Sequence, residues 1–141
     1  MSVMAPSRAQ RSCDQADLPA DPRAVAEARR LVRGAAARGD VPAGVDMDMA
    51  LLLTSELVTN AVTHGSDQPG AGVTLLIAGG AGGLRVEAHD ASLASPVVND
   101  RPADADEHGR GMLLIDLMAS DWGSYRTAGG KAVYFTLAAG A

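Results

Sequence analysis

The chain has 141 residues, the size of one domain, and 47% of them are apolar, enough for a packed core. A formal net charge of −5, with basic residues scattered along the chain, argues against a direct nucleic-acid partner. No apolar run approaches the ~18 residues of a membrane span, and the single cysteine, Cys13, allows no intramolecular disulfide.

The segment Met1–Gln10 lacks the apolar stretch of a signal peptide, so a cytoplasmic protein with no membrane partner is expected. One Trp, one Phe and two Tyr leave the core to Leu, Val, Ala, Met and Ile. Residues 1–16 read as a poorly ordered N-terminal segment and 17–141 as the domain, although Cys13–Leu18 also has the pattern of an edge strand. Asp21-Pro22 then starts a helix, with Asp as N-cap and Pro at the first helical position. Val25, Ala28, Leu31, Val32 and Ala35 follow at helical spacing, and Gly39, Asp40 and Pro42 end the element.

A second helix starts at Asp46 or Asp48, continues through Met49, Leu52, Leu53, Leu57, Val58 and Ala61, and stops at Gly65. Residues 66–72 read as a turn. Val73–Ala78 and Leu84–His89 are short apolar runs joined by the glycine-rich residues 79–83, the pattern of an antiparallel hairpin. From Asp90 to Gly109 periodicity is lost, a length that marks a lid or binding loop. Gly109-Arg110-Gly111 opens a third helix with Met112, Ile115, Leu117 and Met118. Trp122–Arg126 and Ala132–Leu137 read as a final hairpin around Ala128-Gly129-Gly130. This order predicts a two-layer α/β sandwich, a mixed sheet with helices on one face.

Three clusters carry possible chemistry. Glu56, Asn60 and His64 are spaced by four and share a helix face. An amide oxygen there can coordinate a hard cation, and a carboxylate beside it can orient or deprotonate a hydroxyl attacking a phosphate. A solvated polar stripe has the same spacing. Next, the run Val86–Ala88 leads through His89 to Asp90, whose carboxylate at a strand end can accept from an exocyclic amine, or simply initiate a turn. Third, the glycines of Gly109-Arg110-Gly111 let backbone approach a phosphate at a helix N-terminus, or merely ease entry into the helix.

In this order the clusters resemble the N box and the two glycine boxes of the GHKL (histidine-kinase-like) ATPase family, which binds ATP in the Bergerat fold. The resemblance covers roughly residues 17–138. The run Glu56-Leu57-Val58-Thr59-Asn60-Ala61-Val62-Thr63-His64-Gly65, and Gly109-Arg110-Gly111-Met112 followed by Trp122-Gly123, are similar to the anti-sigma-factor serine/threonine kinase branch.

The resemblance implies ATP and Mg²⁺ as ligands. Asn60 would hold the metal, Glu56 would activate the attacking hydroxyl, and Asp90 would recognise the adenine amine. Residues 93–108 would form a lid. Gly109, Arg110 and Gly111 would lie at the phosphates, with Ser92 and Met112 as further nucleotide-contacting positions, and His64 would be structural. Two departures stand out. Ser92 and Ala94 replace the glycines of the Asp-x-Gly-x-Gly box. Gly130-Lys131-Ala132 lacks the Thr that often follows Gly on the last strand, and Lys131 at this turn is expected to face solvent.

The function so implied is an anti-sigma factor that phosphorylates an anti-anti-sigma antagonist on Ser or Thr and switches partners between it and a sigma factor. The alternative is a non-catalytic, nucleotide-dependent binding module. A histidine-kinase catalytic domain is disfavoured, because no phosphoaccepting histidine helix is present. A homodimer is left open.

Overall fold

The computed structural model describes residues 12–64, 71–92 and 107–140, with side chains given for residues 13–63, 71–92 and 112–140. The described elements run β1 (Ser12–Leu18), α1 (Arg23–Ala37), α2 (Met47–His64), β2 (Val73–Gly80), β3 (Gly83–Asp90), α3 (Glu107–Met118), β4 (Asp121–Thr127) and β5 (Gly130–Ala138). They form a two-layer α/β sandwich, and the edge strand anticipated at Cys13–Leu18 is present as β1.

Local chemistry fixes the helix ends. Asp21 Oδ1 accepts from the Arg23 amide at 2.8 Å, so Asp21 caps α1 as its sequence suggests. At the other end the Gly39 amide donates to Ala36 O and the Asp40 amide to Ala35 O. Gly39 takes φ 80°, completing a Schellman closure that favours glycine. Asp46 Oδ1 accepts from the Met49 amide at 3.1 Å and caps α2, which settles the choice between Asp46 and Asp48.

The sheet order is β1-β2-β3-β5-β4. All four described pairings are antiparallel, so the sheet is not mixed. The second hairpin enters the sheet with its last strand innermost. β5 runs against β3, while β4, which runs parallel to β3, is held at the edge. Burial explains that choice: β5 is apolar and enclosed, whereas β4 is mostly exposed.

Period-two alternation sends Val73, Leu75, Ile77, Leu84, Val86, Ala88, Val133, Phe135 and Leu137 to the helix side. There they meet Ala24, Ala28, Val32 and Ala35 of α1, Leu53, Leu57 and Val58 of α2, and Met112 and Ile115 of α3. Arg29 joins the first two helices, donating to Leu51 O at 3.1 Å and Ser55 Oγ at 2.8 Å. Three residues that read as core by spacing are exposed: Leu52, Leu117 and Met118. The opposite face of the sheet carries a polar cluster in which Glu87 accepts from Arg85 Nε at 2.6 Å and Tyr125 Oη at 2.5 Å.

Phe135 is wholly buried on the second strand from the β4 edge, opposite Val86 and Trp122. Phe135→Ala is expected to cost about 3–5 kcal/mol, since transfer and cavity terms add. Urea unfolding checks this; a loss below about 1 kcal/mol would mean that the core is not centred on this strand.

Candidate functional site

Connectivity gathers several segments at one end of the sandwich. The end of α2 leads through residues 65–72 into β2, whose start lies opposite the end of β3 (Thr74 with His89). The end of β3 in turn faces the start of β5 (Asp90 with Lys131). α3 leads into β4 at the far end of the sheet, where Asp121 pairs with Thr136.

On α2, Asn60 is 5% exposed, and its Oδ1 is buried with no hydrogen-bond partner among the described residues. Leaving such an acceptor unmatched costs about 1–3 kcal/mol. At this position, therefore, the Glu56-Asn60-His64 face is not a solvated stripe. Glu56, one turn earlier, is half-buried and engaged within the protein. Of His64 only the backbone, in the last turn of α2, is described; Gly65 lies outside the described residues.

A buried, unmatched amide oxygen suits a hard cation such as Mg²⁺. The described residues contain no group of three or more His, Cys, Asp or Glu able to hold a metal by themselves. A cation at Asn60 would thus take further ligands from phosphate oxygens and water, the usual manner of Mg²⁺.

At the end of β3, Asp90 is 8% exposed and Ser92 1%. The Ser92 amide donates to Asp90 Oδ1 at 2.8 Å. Burial pushes the Asp90 carboxyl above its ordinary value, and the Ser92 amide and the Lys131 ammonium offset only part of that rise. Lys131 itself corrects the sequence reading. It is 7% exposed and does not face solvent: its Nζ lies 3.3 Å from Asp90. The reason is register. β5 begins at Gly130, two residues before Ala132, and the ladder sets Lys131 directly opposite Asp90 on the core side. Gly130 allows this approach, because a Cβ there would fall 2.0 Å from Asp90 O.

The third helix also differs from expectation. It begins at Glu107, so Gly109-Arg110-Gly111 lies inside α3 and does not precede it. An acidic residue is favoured in a first helical turn by the dipole, which explains the earlier start. Gly109 falls in the first turn, where N–H groups lack intrahelical acceptors, and Gly111 about one turn in. The side chain of Arg110 lies outside the described residues. Of the lid expected at 93–108, residues 93–106, Ala94 among them, lie outside the described residues, and 107–108 form the first turn of α3. Met112 is fully enclosed and packs in the core.

Sequence reasoning thus pointed to Asn60, Asp90 and Ser92, and the structure buries all three. It missed the partner of Asp90. The signal was available only through pairing: a two-residue turn at 128–129 sets Thr127 against Gly130 and brings Lys131 into the ladder.

The buried Asn60 oxygen on α2 and the buried Asp90–Lys131 pair between β3 and β5 are polar groups set into an otherwise apolar core, as expected of a domain that takes a small polar ligand. The match to known families agrees: the family model for the histidine kinase-like ATPase domain covers residues 18–137, and the chain belongs to that family. Domains of this family bind ATP, usually with Mg²⁺. No curated protein matches the chain. Among the described residues no helix is long and apolar enough to cross a membrane.

Proposed function

We propose that the chain is an ATP-dependent anti-sigma factor with serine/threonine kinase activity toward an anti-anti-sigma antagonist. The carrying observation is the buried, unpartnered Asn60 oxygen one helical turn beyond Glu56, in a chain of the histidine kinase-like ATPase family. The run at 56–65 and Gly109–Met112 with Trp122-Gly123 support the kinase branch.

In this reading Asn60 is a metal ligand and Asp90 accepts from the exocyclic amine of adenine. Ser92 holds Asp90 through its amide, and the first-turn backbone of α3 at Gly109, with Arg110 and Gly111 following it, lies toward the phosphates. Bound Mg-ATP supplies the γ-phosphoryl group and part of its charge neutralisation. Glu56 would take the proton from the seryl or threonyl Oγ of the antagonist as that oxygen bonds the γ-phosphorus and the bond to the β–γ bridging oxygen breaks, ADP leaving. The new phosphate at the interface weakens antagonist binding by repulsion and desolvation, freeing the chain for its sigma factor. A soluble cytoplasmic protein suits these partners, and a homodimer is compatible with them.

Incubating the chain with γ-labelled ATP, Mg²⁺ and the anti-anti-sigma proteins of its own organism tests the kinase reading. Label on Ser or Thr of one of them is expected. ATP binding without any label would favour the second reading, a nucleotide-dependent binding module. That reading draws on Ser92, which replaces a glycine and is fully buried against Asp90.

Asn60→Ala separates the metal role from a packing role. It removes an unmatched acceptor, so the melting temperature without nucleotide should change little. Mg-ATP affinity should fall about tenfold or more, the worth of one contact to a charged group, while affinity measured in chelator should hold. An unchanged Kd for Mg-ATP would remove Asn60 from the metal site.

A further inference from the structure

The buried Asp90–Lys131 pair is poorly made for a purely structural ion pair. Lys131 Nζ lies 3.3 Å from Oδ1 and 3.3 Å from Oδ2. Ammonium–carboxylate bonds that are satisfied in themselves run about 2.7–2.9 Å. The two side chains are 9% and 2% exposed, so water compensates little. An ammonium carries three donors, and among the described residues Asp90 is the acceptor Lys131 faces. A methionine would fill a similar volume at this corner without the desolvation penalty of a buried cation.

Donor and acceptor therefore stand side by side on the core face, where β3 ends and β5 begins. Adenine offers the complement: its exocyclic amine is a donor flanked by two ring-nitrogen acceptors, N1 on one edge and N7 on the other. We propose that Lys131 is a second base-reading residue, its ammonium donating to the ring nitrogen beside the amine that Asp90 accepts. The inference rests on the reading of Asp90 as the base-recognising carboxylate. In the free protein the pair holds itself together; with a base present, the ammonium gains the acceptor it lacks. Ser92 fixes the carboxylate through its amide, so the two reading atoms hold their spacing.

Calorimetric titration of the whole chain with ATP, 1-deaza-ATP and 7-deaza-ATP tests this. One of the two analogues should bind the wild type about tenfold or more weakly than ATP, the worth of one hydrogen bond from a charged donor. In Lys131→Met that gap should close, with ATP falling to the level of the analogue. Wild-type affinities equal for all three nucleotides overturn the inference, and this comparison needs no variant. So does a gap that persists in Lys131→Met. Tighter ATP binding by Lys131→Met also overturns it, making Lys131 a competitor for Asp90. If the wild type binds none of the three, the nucleotide site itself fails and the inference falls with it.

Discussion

Glu56→Gln is expected to leave Mg-ATP affinity within about threefold and to lower phosphoryl transfer by about 10²–10⁴, the contribution of a positioned general base. The substitution keeps size and hydrogen-bonding capacity but removes the group able to take a proton from an incoming hydroxyl. Glu56 is half-buried in the middle of α2, one turn before Asn60 and beside the packed Leu53 and Leu57. That packing fixes the carboxylate relative to the Asn60 oxygen, so loss of the base is not rescued by helix rotation. Single-turnover transfer to the antagonist and calorimetric ATP binding, measured on the same preparation, separate the two effects. Transfer at the wild-type rate would exclude Glu56 as the base. A parallel loss of ATP binding would assign it to the architecture of the site.

The second large effect is at Asp90, where binding and stability are coupled. Asp90→Asn removes the charge that faces Lys131, leaving an ammonium on a side chain only 9% exposed without its counter-ion. Breaking a buried pair from one side costs about 3–5 kcal/mol, and the lower end applies here because the amide oxygen can still accept. The same change replaces one carboxylate oxygen with an NH₂, which cannot accept from an exocyclic amine. ATP affinity should fall by about one to two orders of magnitude and the preference over GTP should relax.

Asp90→Asn combined with Lys131→Met isolates the two effects, since removing the stranded ammonium should return much of the stability but none of the ATP affinity. Thermal melts and titrations of the two single variants and the double variant supply the cycle. Equal affinity of the wild type for ATP and GTP would refute the adenine role of Asp90. Unchanged stability in Asp90→Asn would show that the ammonium finds another acceptor.

Much of this architecture is legible in the sequence because its signals are local. Asp21-Pro22 and Gly39 bound α1 through capping and a left-handed closure, both decided within a few residues. The spacing of Glu56 and Asn60 reports a shared helix face for the same reason. What the sequence conceals is non-local. Gly129 and Gly130 read together as a turn, so Lys131 looks like a solvated turn residue; only the pairing of β5 with β3 turns it inward. The order of β4 and β5 in the sheet depends on which strand buries more surface, and chain order does not reveal that. Leu52, Leu117 and Met118 have helical core spacing yet remain exposed, because α2 and α3 bury narrower faces than their hydrophobicity allows. The glycines at 109 and 111 read as a helix entry, whereas the helix has already begun at Glu107.

The most direct measurement is calorimetric titration of the purified chain with ATP, with and without Mg²⁺. Binding in the micromolar range that weakens sharply without Mg²⁺ is the predicted result: it requires both a base site and a cation ligand such as the unmatched Asn60 oxygen. No heat of binding at millimolar ATP would contradict the account and leave the fold as a protein-interaction domain, its nucleotide corner disabled by Ser92 and by the Lys131–Asp90 pair.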